Sequence, residues 1–194
     1  MFFARRPSMA TIDRFVRDSH ELRLSYTPVG VLSGEVPCRD LNEEIVTIGR
    51  GTTDFERARA ALMAWKQFDI GWVETFPGEA PVAVGTVIAV LIHHLRFWSL
   101  NGVRVLYSVG SGDDYRFGFA YGTLTNHAES GEELFEVFLD RPTNEVKYRI
   151  RATSKPQAAL TRLGQPIVRA LQARFRRDSA AAMKRAIREF GSLR

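Results

Sequence analysis

The chain has 194 residues, of which 45% are hydrophobic and 25% charged, a balance typical of a globular protein and unlike that of a disordered one. Its longest apolar run, Val82–Ile92, is too short to span a membrane, and no apolar segment follows Arg5-Arg6 as it would in a secretory signal. The single cysteine, Cys38, excludes an internal disulfide and predicts a reducing, cytoplasmic location.

The net charge of +5 is distributed unevenly along the chain. Residues 155–194 contain ten Lys or Arg but only two acids, Asp178 and Glu189, whereas the rest of the chain is slightly acidic. A basic block of this kind can bind nucleic acid or anionic lipid, and it can equally be the solvated face of a helix. The helical pattern described below favours the solvated face.

The N-terminal part predicts two short helices. Residues 1–10 show no periodicity and are predicted to be a loose arm, and Thr11–His20 has helical spacing of its apolar residues. A strand over Ile45–Arg50 leads into Thr53-Asp54-Phe55-Glu56, which matches a capping box and predicts a helix near residues 54–68. The turn at this helix start could hold an anion, but capping alone explains it.

The middle of the chain predicts consecutive antiparallel strands. These strands are Trp72–Phe76, Val84–Trp98, Val103–Val109, Tyr115–Leu124, Glu133–Leu139 and Val146–Thr153. Asn101-Gly102 is a dipeptide typical of tight hairpin turns and is predicted to separate the second of these strands from the third. Apolar and basic residues alternate in the last strand, which predicts one buried and one solvated face.

The C-terminal part predicts a long amphipathic helix from Pro166 to about Phe190. Its apolar stripe consists of Ile167, Leu171, Phe175, Ala182, Met183, Ala186 and Phe190, and the arginines and lysines fall opposite. A run of strands followed by such a helix predicts an α+β fold in which a curved antiparallel sheet of about seven strands grips the C-terminal helix. All 194 residues are predicted to form one such helix-grip domain.

Several motifs resemble a known family. They include Phe117–Leu124, followed by His127, Glu129 and Gly131-Glu132-Glu133, together with Gly49–Trp65, Gly85–Val90, Phe97–Gly102 and Arg174–Ser179. The chain resembles, over roughly residues 20–190, the bacterial and plant domain-of-unknown-function family numbered nineteen-ninety. The resemblance implies a START-like, SRPBCC-like fold, related to the birch-allergen helix-grip proteins, and it supplies no catalytic residues.

Aromatic and polar side chains are the candidates for lining a cavity between sheet and helix. These candidates are His94, Trp98, Tyr107, Phe119, Tyr121, Phe135, Tyr148, Phe175 and Met183. Ligand cavities are mostly apolar with a few fixed polar groups. The leading hypothesis is therefore a protein that binds a small hydrophobic or amphipathic molecule without a cofactor and with weak or no catalysis. Core packing is the alternative for the aromatic residues, and the small residues between Phe117 and Tyr121 could instead make room for a ligand or for the helix.

A second hypothesis is an enzyme of the hydrolase or cyclase type, with a polar site around His127 and Glu129 that also includes Glu132 and Glu133. A histidine beside a carboxylate can act as a general base or bind a metal. The alternative is a loop in which the carboxylates accept hydrogen bonds from backbone amides. No metal site is predicted, because His93 and His94 lie on opposite faces of one strand and the sequence identifies no third ligand.

A third hypothesis is a module that binds an anionic membrane or nucleic acid through the basic C-terminal helix. Arg116–Tyr121 is similar to the aromatic motif of RNA-recognition domains, but the glycine after the leading basic residue and the helix that fold needs are missing. The sequence therefore disfavours nucleic acid as a partner. The oligomeric state stays open.

Overall fold

The structure is a computed structural model that describes residues 1–33, 41–94, 96–110, 112, 115–156 and 165–192. Cys38 lies outside these residues. In chain order the elements are β1 (Phe2–Phe3), α1 (Met9–Ser19), β2 (Asn42–Arg50), α2 (Gly51–Met63), a 3₁₀ turn (Lys66–Phe68), β3 (Val73–Phe76), β4 (Val87–His94), β5 (Phe97–Val109), β6 (Arg116–Thr123), β7 (Glu129–Asp140), β8 (Glu145–Pro156) and α3 (Gln165–Ser192).

The strands form one curled antiparallel sheet. Within the described ranges seven strands follow the order β2-β8-β7-β6-β5-β4-β3, and the short β1 pairs with β5. All strands from β3 to β8 neighbour the next strand in sequence, and β2 closes the order beside β8. The predicted α+β fold, with about seven curved strands around a long C-terminal helix and a shorter helix, is confirmed.

The concave face of the sheet is covered by α2 and α3. Phe55 and Leu62 of α2 and Met183 of α3 are buried against inward side chains of the central strands, such as Phe119 and Phe135. Each such side chain removed from water contributes about 1.5 to 3 kcal/mol. This burial makes the concave face the main core of the molecule.

The convex face is covered at one end by α1 and by residues 20–33. Ile12 and Phe15 of α1 are buried against Leu91 and Leu100, and Leu32 packs on Leu134 further along the sheet. The side chain of Ser8 begins α1 by accepting a hydrogen bond from the N–H of Thr11 at 3.3 Å. Both faces of β4 are therefore buried, which explains its nearly continuous apolar sequence.

Polar contacts help to hold α3 to the rest of the protein. The hydroxyls of Tyr148 and Ser179 lie 2.9 Å apart in the core, and the indole N–H of Trp72 donates to Asp178 at 3.0 Å. Lys184, Arg185 and Arg188 are exposed on the opposite side of the helix, as the solvated-face interpretation predicts. No helix within the described residues is long and apolar enough to cross a membrane.

The hairpin turn predicted at Asn101-Gly102 is wrong. These two residues lie inside β5 and pair with Val90 and Ala89 of β4, and the chain reverses instead between His94 and Phe97. Arg96 has a φ of 73° there, a conformation that the sequence does not signal because no glycine or asparagine occupies the turn. The predicted strand Val84–Trp98 is therefore two strands.

Two predictions for the N-terminal part also need correction. The arm is not loose, because Phe2 and Phe3 pair with β5 and the terminal amino group donates to the carbonyl of Leu100 at 2.9 Å. Helix α2 begins at Gly51 rather than near residue 54. The capping side chains predicted at this helix start were those of Thr53 and Glu56, but the carboxylate of Asp54 accepts the N–H of Arg50 at 2.9 Å instead. This carboxylate occupies the helix start at which the sequence left an anion site open.

The small residues of β6 do not make room for a ligand or for α3. Gly118, Ala120 and Gly122 face the convex side, opposite to the side of Phe119 and Tyr121. A Cβ at Gly122 would lie 2.5 Å from the hydroxyl of Tyr26. Any larger residue at this position would have to displace the side chains of Tyr26, Leu24 and Leu106, so glycine lets the segment before residue 33 pack closely on the sheet.

Candidate functional site

A cavity of about 200 Å³ lies between the concave face and the N-terminal half of α3. It occupies the end of the sheet where β7 begins and β8 ends, and it extends to β4 and β5. Four residues of α3 close it on one side: Leu171, Gln172, Phe175 and Arg176. At the other end of the concave face Phe119, Phe135, Tyr148 and Met183 are almost completely buried, and a second, shallower pocket lies at its edge beside Ile48 and Ile187.

The cavity has one apolar wall and one polar wall. The apolar wall is formed by Phe68, Trp72, Val73, Val90, Ile92, Leu171 and Phe175. The polar wall is formed by Ser99, Asn101, Tyr121, Thr123, His127, Glu129 and Glu133. This division is the pattern expected for a ligand with an apolar body and a polar head.

Five of the residues predicted from the sequence line this cavity: His94, Tyr121, Phe175, His127 and Glu129. Phe119, Phe135, Tyr148 and Met183 face the same side of the sheet but are almost completely buried in the packed end. The prediction that these four residues line the cavity is wrong, because α2 and the C-terminal half of α3 pack against this end of the concave face.

Trp98 and Tyr107 lie on the convex face and do not reach the cavity. Trp98 stacks on His93 with ring centroids 4.3 Å apart, and Tyr107 donates to Glu132 at 2.5 Å. A register shift between Val105 and Tyr107 turns the tyrosine away from the face of Val105. Sequence alternation alone does not reveal this shift.

Glu133, which the sequence places beside the candidate polar site of His127 and Glu129, is the most important acid of the cavity wall. Its side chain accepts a hydrogen bond from the hydroxyl of Tyr121. Burial raises its pKa to about 7; the tyrosine hydrogen bond opposes this shift, and nearby Glu129 adds to it. Near neutral pH this carboxyl group therefore exists in both the protonated and the charged form.

Glu129 is held by α3. The side-chain amide of Gln172 donates to its two carboxylate oxygens at 3.2 and 3.1 Å and also lies 3.2 Å from the hydroxyl of Ser154. Burial raises the pKa of Glu129 above its ordinary value. Period-two alternation would have placed Glu129 and Glu133 on one face, had the strand been predicted to begin at Glu129.

One ring nitrogen of His127 is engaged by the backbone. Its Nδ1 lies 2.9 Å from the N of Glu129 and 3.0 Å from the carbonyl oxygen of the same residue, so one of these groups engages Nδ1 in either neutral tautomer. Burial lowers the pKa of His127 to about 4. The ring is neutral at physiological pH, and only Nε2 remains for a ligand.

Arg176 is a cation at the cavity wall, and it pairs with Glu44 of β2 at 3.3 Å. His94 contributes its ring beside Phe2, with centroids 6.4 Å apart, and burial lowers its pKa. His93 faces the convex side, so the two histidines do lie on opposite faces. Within the described ranges, no three His, Cys, Asp or Glu residues come together as metal ligands would.

Comparison with known proteins places this arrangement in a family. Residues 25–182 match the domain of unknown function DUF1990. The chain belongs to the DUF1990 family. A UPF0548 protein of Dictyostelium discoideum is 31% identical, covering 96% of both chains, and one of Deinococcus radiodurans is 34% identical, covering 96% of this chain and 98% of its own. A further UPF0548 protein, from Arabidopsis thaliana, is 33% identical over 74% of this chain and 71% of its own.

Solved structures similar to this DUF1990 protein share its fold. The Thermus thermophilus protein TTHA0849 has a TM-score of 0.54 at 10% identity, covering 79% of this chain and 99% of its own. A norcoclaurine synthase point mutant from Thalictrum, solved with a transition-state analogue, has a TM-score of 0.51 at 10% identity, covering 78% and 95%. The helix-grip fold that the resemblance implied is confirmed.

The relatives extend the family beyond the bacteria and plants named from the sequence, because Dictyostelium belongs to neither group. The bacterial source and the cytoplasmic location predicted for this chain, its single-domain organisation and the catalytic role left open for His127 and Glu129 stay predictions. Because one fold can serve many functions, the function of this protein has to be inferred from the residues of its site and not from the fold.

Proposed function

We propose that this DUF1990 protein binds a small amphipathic molecule in the cavity between the sheet and α3. The single observation that carries the proposal is the cavity of about 200 Å³ with one apolar and one polar wall. Pockets for drug-sized ligands measure roughly 300 to 1,000 Å³, so the ligand proposed here is smaller than those. The similar norcoclaurine synthase, solved with a bound transition-state analogue, supports a ligand site in a fold of this kind.

Buried polar side chains support a site rather than a packing defect. Ser99 and Asn101 are 3% and 1% exposed, yet both belong to the polar wall. Asn101 is fixed by bonds from its amide to the carbonyl of Val90 and the hydroxyl of Ser99, and its oxygen accepts the N–H of Ala128. A wall of preorganised polar groups lowers the entropy cost of binding.

The binding of a matched small amphiphile tests the proposal. 1-Hexanol, with about seven non-hydrogen atoms, is expected to bind with a dissociation constant of about 1 mM or lower. In a ¹H–¹⁵N NMR titration the amide signals of Ala128, Gly131 and Ala152 should shift, whereas those of Val105 and Val137 in the packed end should not. Absence of any saturable shift would contradict the proposal.

A cavity-filling variant gives the sharper test. Ala152 lines the cavity, and Ala152→Phe is expected to abolish hexanol binding by occupying the same space. Ala173→Phe adds the same side chain at an exposed position of α3 and serves as the matched control. If both variants melt as cooperatively as the wild type and both still bind, the ligand does not occupy this cavity.

A further inference from the structure

The two cavity carboxylates have neutral partners. Glu133 accepts from the hydroxyl of Tyr121, and Glu129 accepts from the amide of Gln172. Among the described residues no lysine or arginine forms an ion pair with either carboxylate, and Arg176 pairs with Glu44 instead. A buried carboxylate without a cation is costly in its charged form.

Glu136, on the other face of the same strand, has cationic partners. It is fully buried and pairs with both Arg116 and Arg149, whereas Glu132 on that face has neutral donors alone. On the cavity side the charge of Arg176 opposes the rise in the pKa of Glu133, but Arg176 forms its ion pair with Glu44. An open space borders the two cavity carboxylates.

The neighbouring wall suits the rest of a cationic amphiphile. Trp72, Phe175 and Phe68 present aromatic side chains to the cavity, and Ile92 and Leu171 add aliphatic surface. An ammonium group offers three donors, which matches two carboxylates that still have free acceptor positions. Hydrogen bonds between such charged groups are stronger than neutral ones, and aromatic faces attract cations.

We propose that the ligand of this cavity is a small amphipathic organic cation, such as a primary amine, whose charged group is bound by Glu129 and Glu133. This inference rests on the proposed function, since it names the chemical class of the molecule bound there. The apolar part of the cation packs against the wall of Trp72 and Phe175.

The protonation of Glu133 makes the binding pH-dependent. The titratable and charged groups around it are Tyr121 on β6, Tyr148 on β8, Glu129 on β7 and Arg176 on α3, with His127 and His94 elsewhere on the cavity wall. Because the pKa of Glu133 is about 7, the carboxylate is charged above that pH. The affinity for an amine should therefore rise between pH 6 and pH 8, while that for a neutral alcohol should not.

Three probes with the same alkyl chain separate the head-group preference from binding itself. Hexylamine, 1-hexanol and hexanoate are titrated into the full chain at pH 8 and low ionic strength, with binding measured by calorimetry and NMR. Hexylamine is expected to bind about tenfold or more tightly than hexanol, and hexanoate more weakly than both.

Conservative variants assign the preference to the two carboxylates. Glu133→Gln is expected to remove most of the tenfold amine preference, measured as the ratio of the hexylamine and hexanol affinities, and Glu129→Gln should act in the same direction. Glu56→Gln, at an exposed position of α2, makes the same change in net charge away from the cavity and should leave all three affinities unchanged. Thermal unfolding of each variant shows that it is folded.

The outcomes distinguish this inference from the proposed function. If hexanol binds and hexylamine binds no better, or if hexanoate binds best, the cation inference is overturned and the ligand cavity stands. A tenfold amine preference that survives in both Glu133→Gln and Glu129→Gln overturns it as well. If none of the three probes binds, the proposed function fails together with the inference.

Discussion

The two faces of β7 carry acids with opposite surroundings. On the convex face Glu132 accepts bonds from the hydroxyls of Tyr26 and Tyr107 and from the N–H groups of Gly30 and Leu32, at distances between 2.5 and 3.2 Å. On the concave face Glu133, the very next residue, has the hydroxyl of Tyr121 as its donor and borders an open space. Both carboxylates are removed from most of the solvent.

This difference suggests different roles for two neighbouring acids of one strand, a structural role for Glu132 and a binding role for Glu133. Glu132 ties residues 26–32 to the sheet, so its donors come from the protein and satisfy it in the absence of any ligand. Glu133 holds no part of the backbone in place, and its environment favours the protonated form. A buried acid with few partners beside a cavity is therefore the residue to test for binding, whereas a buried acid with many partners is the residue to test for stability.

The largest effect is expected on the convex face at Glu136. Glu136→Gln removes the charge that pairs with Arg116 and Arg149, and it should lower the free energy of unfolding by about 3 kcal/mol, because two arginines lose their buried partner. Urea-induced unfolding at pH 7 measures this change.

Glu43→Gln is the matched control for this variant. Glu43 pairs with Arg149 and Arg151 from a side chain that is 39% exposed, so its loss should change the free energy of unfolding by no more than about 0.5 kcal/mol. Equal effects of the two variants would show that the burial of the acid does not decide its role.

A smaller effect is expected at Glu132. Glu132→Gln keeps one acceptor oxygen but loses the charge that four donors share, and a loss of about 2 kcal/mol is expected. Hydrogen exchange of the Gly30 and Leu32 amides should accelerate together, because both bond to this carboxylate. Tyr26→Phe removes one donor and should cost about 1 kcal/mol. Exchange that is unchanged in Glu132→Gln would contradict the tying role of this residue.

The sequence predicted the fold because alternation and helical spacing record which side chains are buried. Val146, Tyr148 and Ile150 alternate with basic residues, and the structure buries these three on the concave face. Turns were predicted less well. Asn101-Gly102 has the composition of a hairpin turn but lies inside β5. The side chain of Asn101 forms hydrogen bonds within the polar wall, and its backbone does not form a turn.

The candidate site was only half predictable for a different reason. Phe119 and Tyr121 share one face of β6, and nothing in their local sequence reveals that the first is packed under α2 while the second borders the cavity. That distinction depends on where α2 and the 3₁₀ turn end, which is a tertiary property. Glu133 was placed near His127 and Glu129 by the sequence, but only the packing of α3 shows that its side chain borders a cavity.

The last predictions concern the pH dependence of stability, to which Glu133 and His127 contribute in opposite directions. The pKa of Glu133 is raised from 4.5 to about 7 in the folded state, so its contribution to stability is complete below pH 4.5 and is lost as the pH rises through 7. The pKa of His127 is lowered from 6.5 to about 4, so its contribution is present above pH 6.5 and is lost as the pH falls through 4. Between pH 4.5 and 6.5 the two contributions change in opposite directions in the wild type.

Two variants separate these contributions. Relative to the wild type, Glu133→Gln should gain stability as the pH rises from 4.5 to 7, by at most about 1.4 kcal/mol per pH unit. His127→Asn, whose side-chain oxygen can still accept the N–H of Glu129, should lose stability relative to the wild type as the pH rises from 4 to 6.5. Urea unfolding at half-unit pH intervals gives both difference curves, in which the titration of all other groups cancels. Two difference curves with slopes of the same sign would show that the cavity does not favour the uncharged form of both residues. The contrast between Glu133, whose environment favours the protonated form, and Glu132 would then be wrong.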